Sequence, residues 1–416
     1  MRILLLTQVV PYPPDSGPKI KTFNLLRYLS RRHAVHLVSF ARSRDEAAAA
    51  ESLRDLCEGV TTVGLRRSAL RDVGYLVRSL VSGRPFLIER DDSVAMRASI
   101  TALLQERRFD AVHADQLSMA QFAVDLSVPL RVLDEHNAVW TIVHRATIRE
   151  RWGPHRLVAE LEWRKLRRYE AEICQKFDLV TVVSTHDYLA LLESGRAIFP
   201  AKVIPIAVDT GELKFRAHAP EDGHVVSVAT MFYPPNADGV HWFATEVFPV
   251  VRREVPRVQF YVVGGRPPLK ITRLAGERTG VVVTGYVANL DPLLRQSAVM
   301  VVPVHSGSGM RVKILEAFAR GIPVVSTTVG AEGIDARPGE HLLIADEPYK
   351  FARAVVRLLT HPFEAERLAR AGRDLVERRY DWRSALSPLD EIYPIHCQRL
   401  GGDASVATSL FGPANG

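Results

Sequence analysis

Val299-Met300-Val301-Val302-Pro303, then His305-Ser306-Gly307-Ser308-Gly309-Met310-Arg311-Val312-Lys313-Ile314-Leu315-Glu316-Ala317, then Gly321-Ile322-Pro323-Val324-Val325-Ser326, is the stretch around which the rest of the chain is organised. An apolar run, a glycine turn, helical spacing over 311–320 and a second apolar run predict strand, turn, helix and strand, which is a βαβ unit. The turn feeds a helix N-terminus, where backbone N–H groups lack intrahelical partners and the helix dipole is positive. Gly307 and Gly309 carry no side chain to keep an anion from those groups, so phosphate is the natural ligand.

Lys313 and Glu316 are three residues apart and share a helix face. A cation and a hydroxyl-binding carboxylate on one face suit a nucleotide, with phosphates toward Lys313 and ribose toward Glu316. A plain tight turn with Glu316 and Lys313 as a surface ion pair would need no ligand. Arg311, Lys313 and Glu316 gathered behind the turn favour the anion site. Position 312 is Val rather than the third glycine of a dinucleotide fingerprint, which argues against nicotinamide or flavin.

A chain of 416 residues is too long for one core and suits two domains of roughly two hundred residues each. Met1–Val10 is basic and then apolar, but the run stops at Pro11, Pro13 and Pro14 without a small-residue cleavage site, so it reads as a first strand. No apolar run reaches bilayer-spanning length. Cys57, Cys174 and Cys397 are far apart and suggest neither a disulfide framework nor a zinc site, which points to the reducing cytosol. A formal charge of +7 and a pI near 9.4 favour anionic partners. The basic residues are dispersed and not interleaved with aromatics, so nucleic acid is not expected.

Arg2–Thr7, a helix over 19–32 and Ala34–Phe40 form another βαβ unit, placing Gly17 at a helix start beside the carboxyl ends of parallel strands, although a plain turn explains it equally. Asp45–Gln105 reads as mostly helical, with a break at Gly83-Arg84-Pro85. The strand Leu130–Asp134 ends in Asp134-Glu135-His136-Asn137, again at the ligand edge; His113 reads as structural. His144–Lys176 reads as a long helical region with many charges, more a solvated helix face than a peripheral contact with anionic membrane. A linker over 210–224 leads to a second domain with strands at Val225–Thr230, Val258–Val263 and Val281–Thr284 and a helix over Asp238–Val251.

These residues together resemble the GT-B glycosyltransferases, specifically the large family 4 of retaining, nucleotide-sugar-dependent enzymes. The resemblance is most specific over Lys313–Val325 with Gly330-Ala331-Glu332-Gly333, and is supported by Gly285-Tyr286-Val287 and Val203-Ile204-Pro205 through Asp209. It implies an α/β fold of two Rossmann-like doubly wound domains facing across a cleft: residues 1–209 on the acceptor side, 210–380 binding the nucleotide sugar, 381–400 crossing back, and 401–416 a disordered tail. It further implies a nucleoside diphosphate sugar as donor, a sugar, lipid-linked or other hydroxyl acceptor, no cofactor and no required metal. Relatives carry a Glu-x7-Glu pair; Glu316 matches the second, ribose-binding glutamate, and the first falls on Ser308. The diphosphate-holding Arg and Lys that many relatives place after the first strand of the second domain are missing from Ala229–Asn236, so Arg311 and Lys313 are expected to supply that charge. His136 matches a histidine near the donor sugar, and backbone groups around Gly285 and Tyr286 are expected to touch the base. A sugar phosphorylase, a nucleotide-sugar epimerase and a non-catalytic nucleotide-sugar-binding protein are the alternatives.

Overall fold

The computed structural model describes residues 1–65, 67–149, 152–193, 198–216, 223–307 and 309–394. The first sheet holds β1 (Arg2–Thr7), β2 (Ala34–Ala41), β3 (Gly59–Gly64), β4 (Ala111–Asp115), β5 (Leu130–Glu135), β6 (Leu179–Val182) and β7 (Ala201–Val203), in the order 3-2-1-4-5-6-7. The second holds β8 (His224–Val228), β9 (Phe260–Val263), β10 (Val281–Gly285), β11 (Ser297–Val302), β12 (Val324–Ser326) and β13 (Leu343–Ile344), in the order 10-9-8-11-12-13. All these pairings are parallel. Each order reverses beside its first strand, at β1/β4 and β8/β11, the switch points where open α/β sheets bind ligands beyond the strand carboxyl ends.

Strand alternation explains the layers. Leu4 and Leu6 of β1 enter the core on one face of the sheet while Ile3 and Leu5 enter the other. Val299 and Val301 of β11 likewise part from Met300 and Val302. Both sheets are therefore covered on two faces, which is why their strands read as continuous apolar runs. The chain returns to the first domain where Val208 bridges Asp381. Trp382, Leu386, Leu389 and Tyr393 then pack with Leu25, Leu26 and Leu29 of the Gly17–Leu29 helix, and the guanidinium groups of Arg27 and Arg31 lie 4.4 and 4.1 Å from the Trp382 ring centroid. Residues 395–416, with the expected tail, lie outside the described residues.

Three expectations are refined. The region 45–105 is mostly helical and breaks between Ser82 and Phe86 as expected, but it also contains β3, because Val60-Thr61-Thr62-Val63 is a β-branched run that pairs with β2 at the sheet edge. The long helical region expected over 144–176 is two helices, Val139–Arg149 and Pro154–Cys174, the second opening at Gly153-Pro154, where proline suits a helix start. The helix expected over Asp238–Val251 begins at Pro234 and widens into a π turn over Phe243–Val247 before Phe248–Glu254. Pro249 lacks an N–H and its ring crowds the preceding turn, so the widened turn accommodates it. Among the described residues, no helix is long and apolar enough to cross a membrane.

Candidate active site between the two sheets

The turn after β11 delivers the chain to a helix over Val312–Arg320. Ile314, Leu315, Ala317 and Phe318 bury its inner face, and Gly321 ends it in a left-handed conformation. Gly307 and Gly309 both have positive φ, 95° and 84°. At 309 a Cβ would also fall 1.7 Å from Asn137 Oδ1, so backbone and space both require glycine there. Ser308 lies outside the described residues.

Arg311 sits at the N-cap, and its guanidinium donates to the Gly309 carbonyl and reaches the Ser306 carbonyl at 3.5 Å. It thus braces its own turn. Lys313 Nζ is 3.4 Å from Asn236 Oδ1. Glu316, one turn along, makes no ion pair within 4.0 Å among the described residues and feels Arg320, which itself pairs with Asp291. Burial pushes each group toward neutrality: it lowers Arg311, raises Glu316, and with the Arg311 charge brings Lys313 down to about 7. A partly desolvated cationic pair of this kind gains from an incoming anion.

The opposite wall is built at the carboxyl ends of β4 and β5. His136 Nε2 donates to Asp115 at 2.9 Å, and Thr22 Oγ1 lies 3.1 and 3.0 Å from the two Asp115 oxygens. Asp134 pairs with Lys21 and accepts from Thr181 Oγ1 at 2.6 Å, while His113 and His136 approach it at 3.6 and 3.7 Å. His113 Nδ1 is 2.7 Å from the Tyr393 hydroxyl, which ties the returning C-terminal segment to this wall. Burial opposes both ionisations, yet Lys21, His113 and His136 hold Asp134 well below the usual carboxylate range, and Asp115 and Asp134 outweigh burial and Lys21 to raise His136. Asp115, Asp134 and His136 offer ligand atoms within 4.8 Å of one another, but Lys21 already neutralises Asp134 and His136 already occupies Asp115.

Among the described residues the walls meet at several points. Gly309 abuts Asn137; a Cβ at Gly17 would lie 3.5 Å from Val312 Cγ2; a Cβ at Gly333 would lie 3.5 Å from Ser184. Arg145 donates to the Gly307 carbonyl at 2.7 Å and to Glu332 at 2.6 and 2.9 Å. Gly285, with φ 73°, closes β10 on the same strand-end edge as the glycine turn, and Tyr286 beside it is exposed. The structure therefore places Gly17 and Gly309, with Asn137 beside His136 and Val312 between Arg311 and Lys313, at one seam between the two domains. Lys21, Asp115, Arg145, Asn236 and Tyr233, whose hydroxyl lies 3.1 Å from where a Cβ at Gly307 would stand, are further residues here that the sequence does not single out. Asp115 carried a signal, since it ends a strand on the edge that drew attention to Asp134. Arg145 carried none.

Two doubly wound domains with their ligand edges opposed, one presenting a cationic helix start and the other a buried histidine–aspartate pair, have the architecture of the GT-B glycosyltransferases. The description "Glycosyltransferase Family 4" matches residues 19–212 and "Glycosyl transferases group 1" matches residues 222–361, and the chain belongs to this family. A Klebsiella pneumoniae protein described as an uncharacterized 44.6 kDa protein in the cps region is 21% identical over 411 residues, 93% of this chain and 98% of that protein. The phosphatidyl-myo-inositol mannosyltransferase of Mycobacterium leprae is 34% identical over 102 residues, 24% of this chain and 27% of that enzyme. Among solved structures, Anabaena HepE in complex with UDP aligns with a TM-score of 0.66 at 15% identity, covering 94% of this chain and 99% of HepE. The sucrose-phosphate synthase of Thermosynechococcus elongatus aligns at 0.68 and 16% identity, covering 94% and 98%.

Proposed function

We propose that this glycosyltransferase moves a sugar from a nucleoside diphosphate sugar to an acceptor hydroxyl with retention at the anomeric carbon, and that it does so without a metal. The carrying observation is the meeting of the two walls: Gly309 rests on Asn137, next in sequence to His136, and Gly17 faces Val312, next to Lys313. Breaking the glycosidic bond leaves negative charge on the departing diphosphate. Arg311, Lys313 and the helix start stabilise that charge where it develops. Glu316 accepts from the ribose hydroxyls, backbone groups at Gly285 and Tyr286 hold the base, and His136 addresses the sugar from the first domain. The complexes of HepE with UDP and with UDP-glucose support this class of donor.

The test is transfer from UDP-, GDP- and ADP-sugars to hydroxyl acceptors, with product analysis. Removing one preorganised donor to developing charge typically costs roughly 10²–10³ in rate. Lys313→Ala is therefore expected to lose at least about tenfold in turnover on the donor that the wild type uses, and chelator is expected to leave turnover unchanged. Wild-type turnover in Lys313→Ala would remove that lysine from the reaction.

A further inference from the structure

The helix over Ala69–Ser82 is inside out. Its one buried residue is the polar Ser79, whose Oγ lies 2.7 Å from the Arg84 carbonyl oxygen and accepts from Lys165 Nζ at 2.5 Å. Asp72 also turns inward, with Oδ1 buried. Leu70, Val73, Val77, Leu80 and Val81, spaced as one helical face, point to solvent at 88, 61, 56, 54 and 85% exposure. An isolated exposed leucine needs no explanation, but a stripe of about 16 Å does.

Charge selects the occupant. Residues 66–84 hold five arginines against one aspartate; Arg67 pairs with Asp91, and Arg78 and Arg84 with Glu89 and Asp92, while Arg71, on the same flank of the stripe as Arg78, makes no ion pair among the described residues. The Pro154–Cys174 helix, joined to this one through Glu162, Lys165 and Ser79, exposes Leu157 and Leu161; Trp152 before it is 86% exposed with the Arg156 guanidinium 4.4 Å from its ring centroid. Two copies meeting about a twofold axis would bring arginine flank against arginine flank, which disfavours a dimer. Anionic headgroups with acyl chains beneath satisfy both the arginines and the apolar side chains.

We propose that the Ala69–Ser82 helix lies in the surface of an anionic lipid bilayer, inserting Leu70, Val73, Val77, Leu80 and Val81 among the acyl chains while the flanking arginines engage lipid phosphates. Vesicle binding is read without any donor, so its failure would leave the transfer assignment standing. The full chain is to be sedimented with phosphatidylcholine vesicles, with and without about one third phosphatidylglycerol. The expected result is binding to the anionic vesicles, weakened about tenfold or more by Val73→Asp with Val77→Asp and reduced by Arg71→Glu, at unchanged melting temperature. Leu70→Ser with Val81→Ser, less disruptive, is expected to weaken binding in the same direction. Absence of wild-type binding, equal binding by all variants, or a concentration-dependent dimer in ultracentrifugation that the aspartates abolish would overturn the proposal.

Discussion

The two walls of the cleft handle charge in opposite ways. On the first-domain wall the carboxylates of Asp134 and Asp115 are answered within the fold, Asp134 by Lys21 and Asp115 by His136 and Thr22. On the second-domain wall Arg311 and Lys313 lean on carbonyl and amide oxygens, and burial draws Lys313 and Glu316 toward neutrality. The difference separates two tasks. The first wall contributes to the free protein's stability and fixes the orientation of His136. The second forgoes stability in the free protein and recovers it when a diphosphate and a ribose arrive.

The largest expected effect tests the first wall. Asp134→Asn leaves Lys21, 3% exposed, without its counter-charge, and breaking a buried pair from one side costs about 3–5 kcal/mol. Denaturant titration should show that loss, while Lys313→Ala stays within about 0.5 kcal/mol of wild type. Because Asp134 is held below the ordinary carboxylate range, the pair's contribution is full above about pH 4 and is lost as pH falls toward the folded value. Equal losses from the two substitutions would erase the contrast between the walls.

A smaller effect probes the second wall. Glu316→Gln removes a charge-assisted contact to the ribose hydroxyls worth about 1.5–3 kcal/mol, so calorimetry should show at least about tenfold weaker nucleoside diphosphate binding at an unchanged melting temperature. A solvated helix glutamate would leave the affinity alone.

The smallest effect is in pH. Lys313 sits at about 7 in the free protein, so below that pH its ammonium is present and above it binding must take up a proton. Diphosphate affinity should be nearly flat below pH 7 and fall by up to about tenfold per unit above it, until the complex's own pKa is reached. Titrations in buffers of different ionisation heat would detect the proton, and Lys313→Arg should flatten the profile. A flat wild-type profile between about pH 7 and 9 would contradict the lowered ammonium.

What the sequence revealed follows from the range of each interaction. The βαβ unit at 299–326 was legible because apolar runs and glycines at 307, 309 and 321 are local signals, and the fold resemblance rode on that unit. β3 was not legible, since four β-branched residues between Gly59 and Gly64 resemble a helix interruption until β2 lies beside them. Gly153-Pro154 was a helix start hidden inside a run of charges. The Lys21–Asp134 pair joins residues 113 apart and Arg145 reaches Gly307 across 162, distances at which neither spacing nor composition says anything. His113 reads as structural in the sequence, but its partner, Tyr393, lies 280 residues away.

The central claim, that the helix start at Arg311–Lys313 holds the donor's diphosphate, is tested most directly by calorimetry with a nucleoside diphosphate and the corresponding nucleoside, each titrated into wild type and Lys313→Ala. The account predicts that the substitution weakens the diphosphate by at least about tenfold, the worth of one hydrogen bond to a charged group, and leaves the nucleoside unchanged. Equal losses for both ligands, or no loss for either, would contradict it.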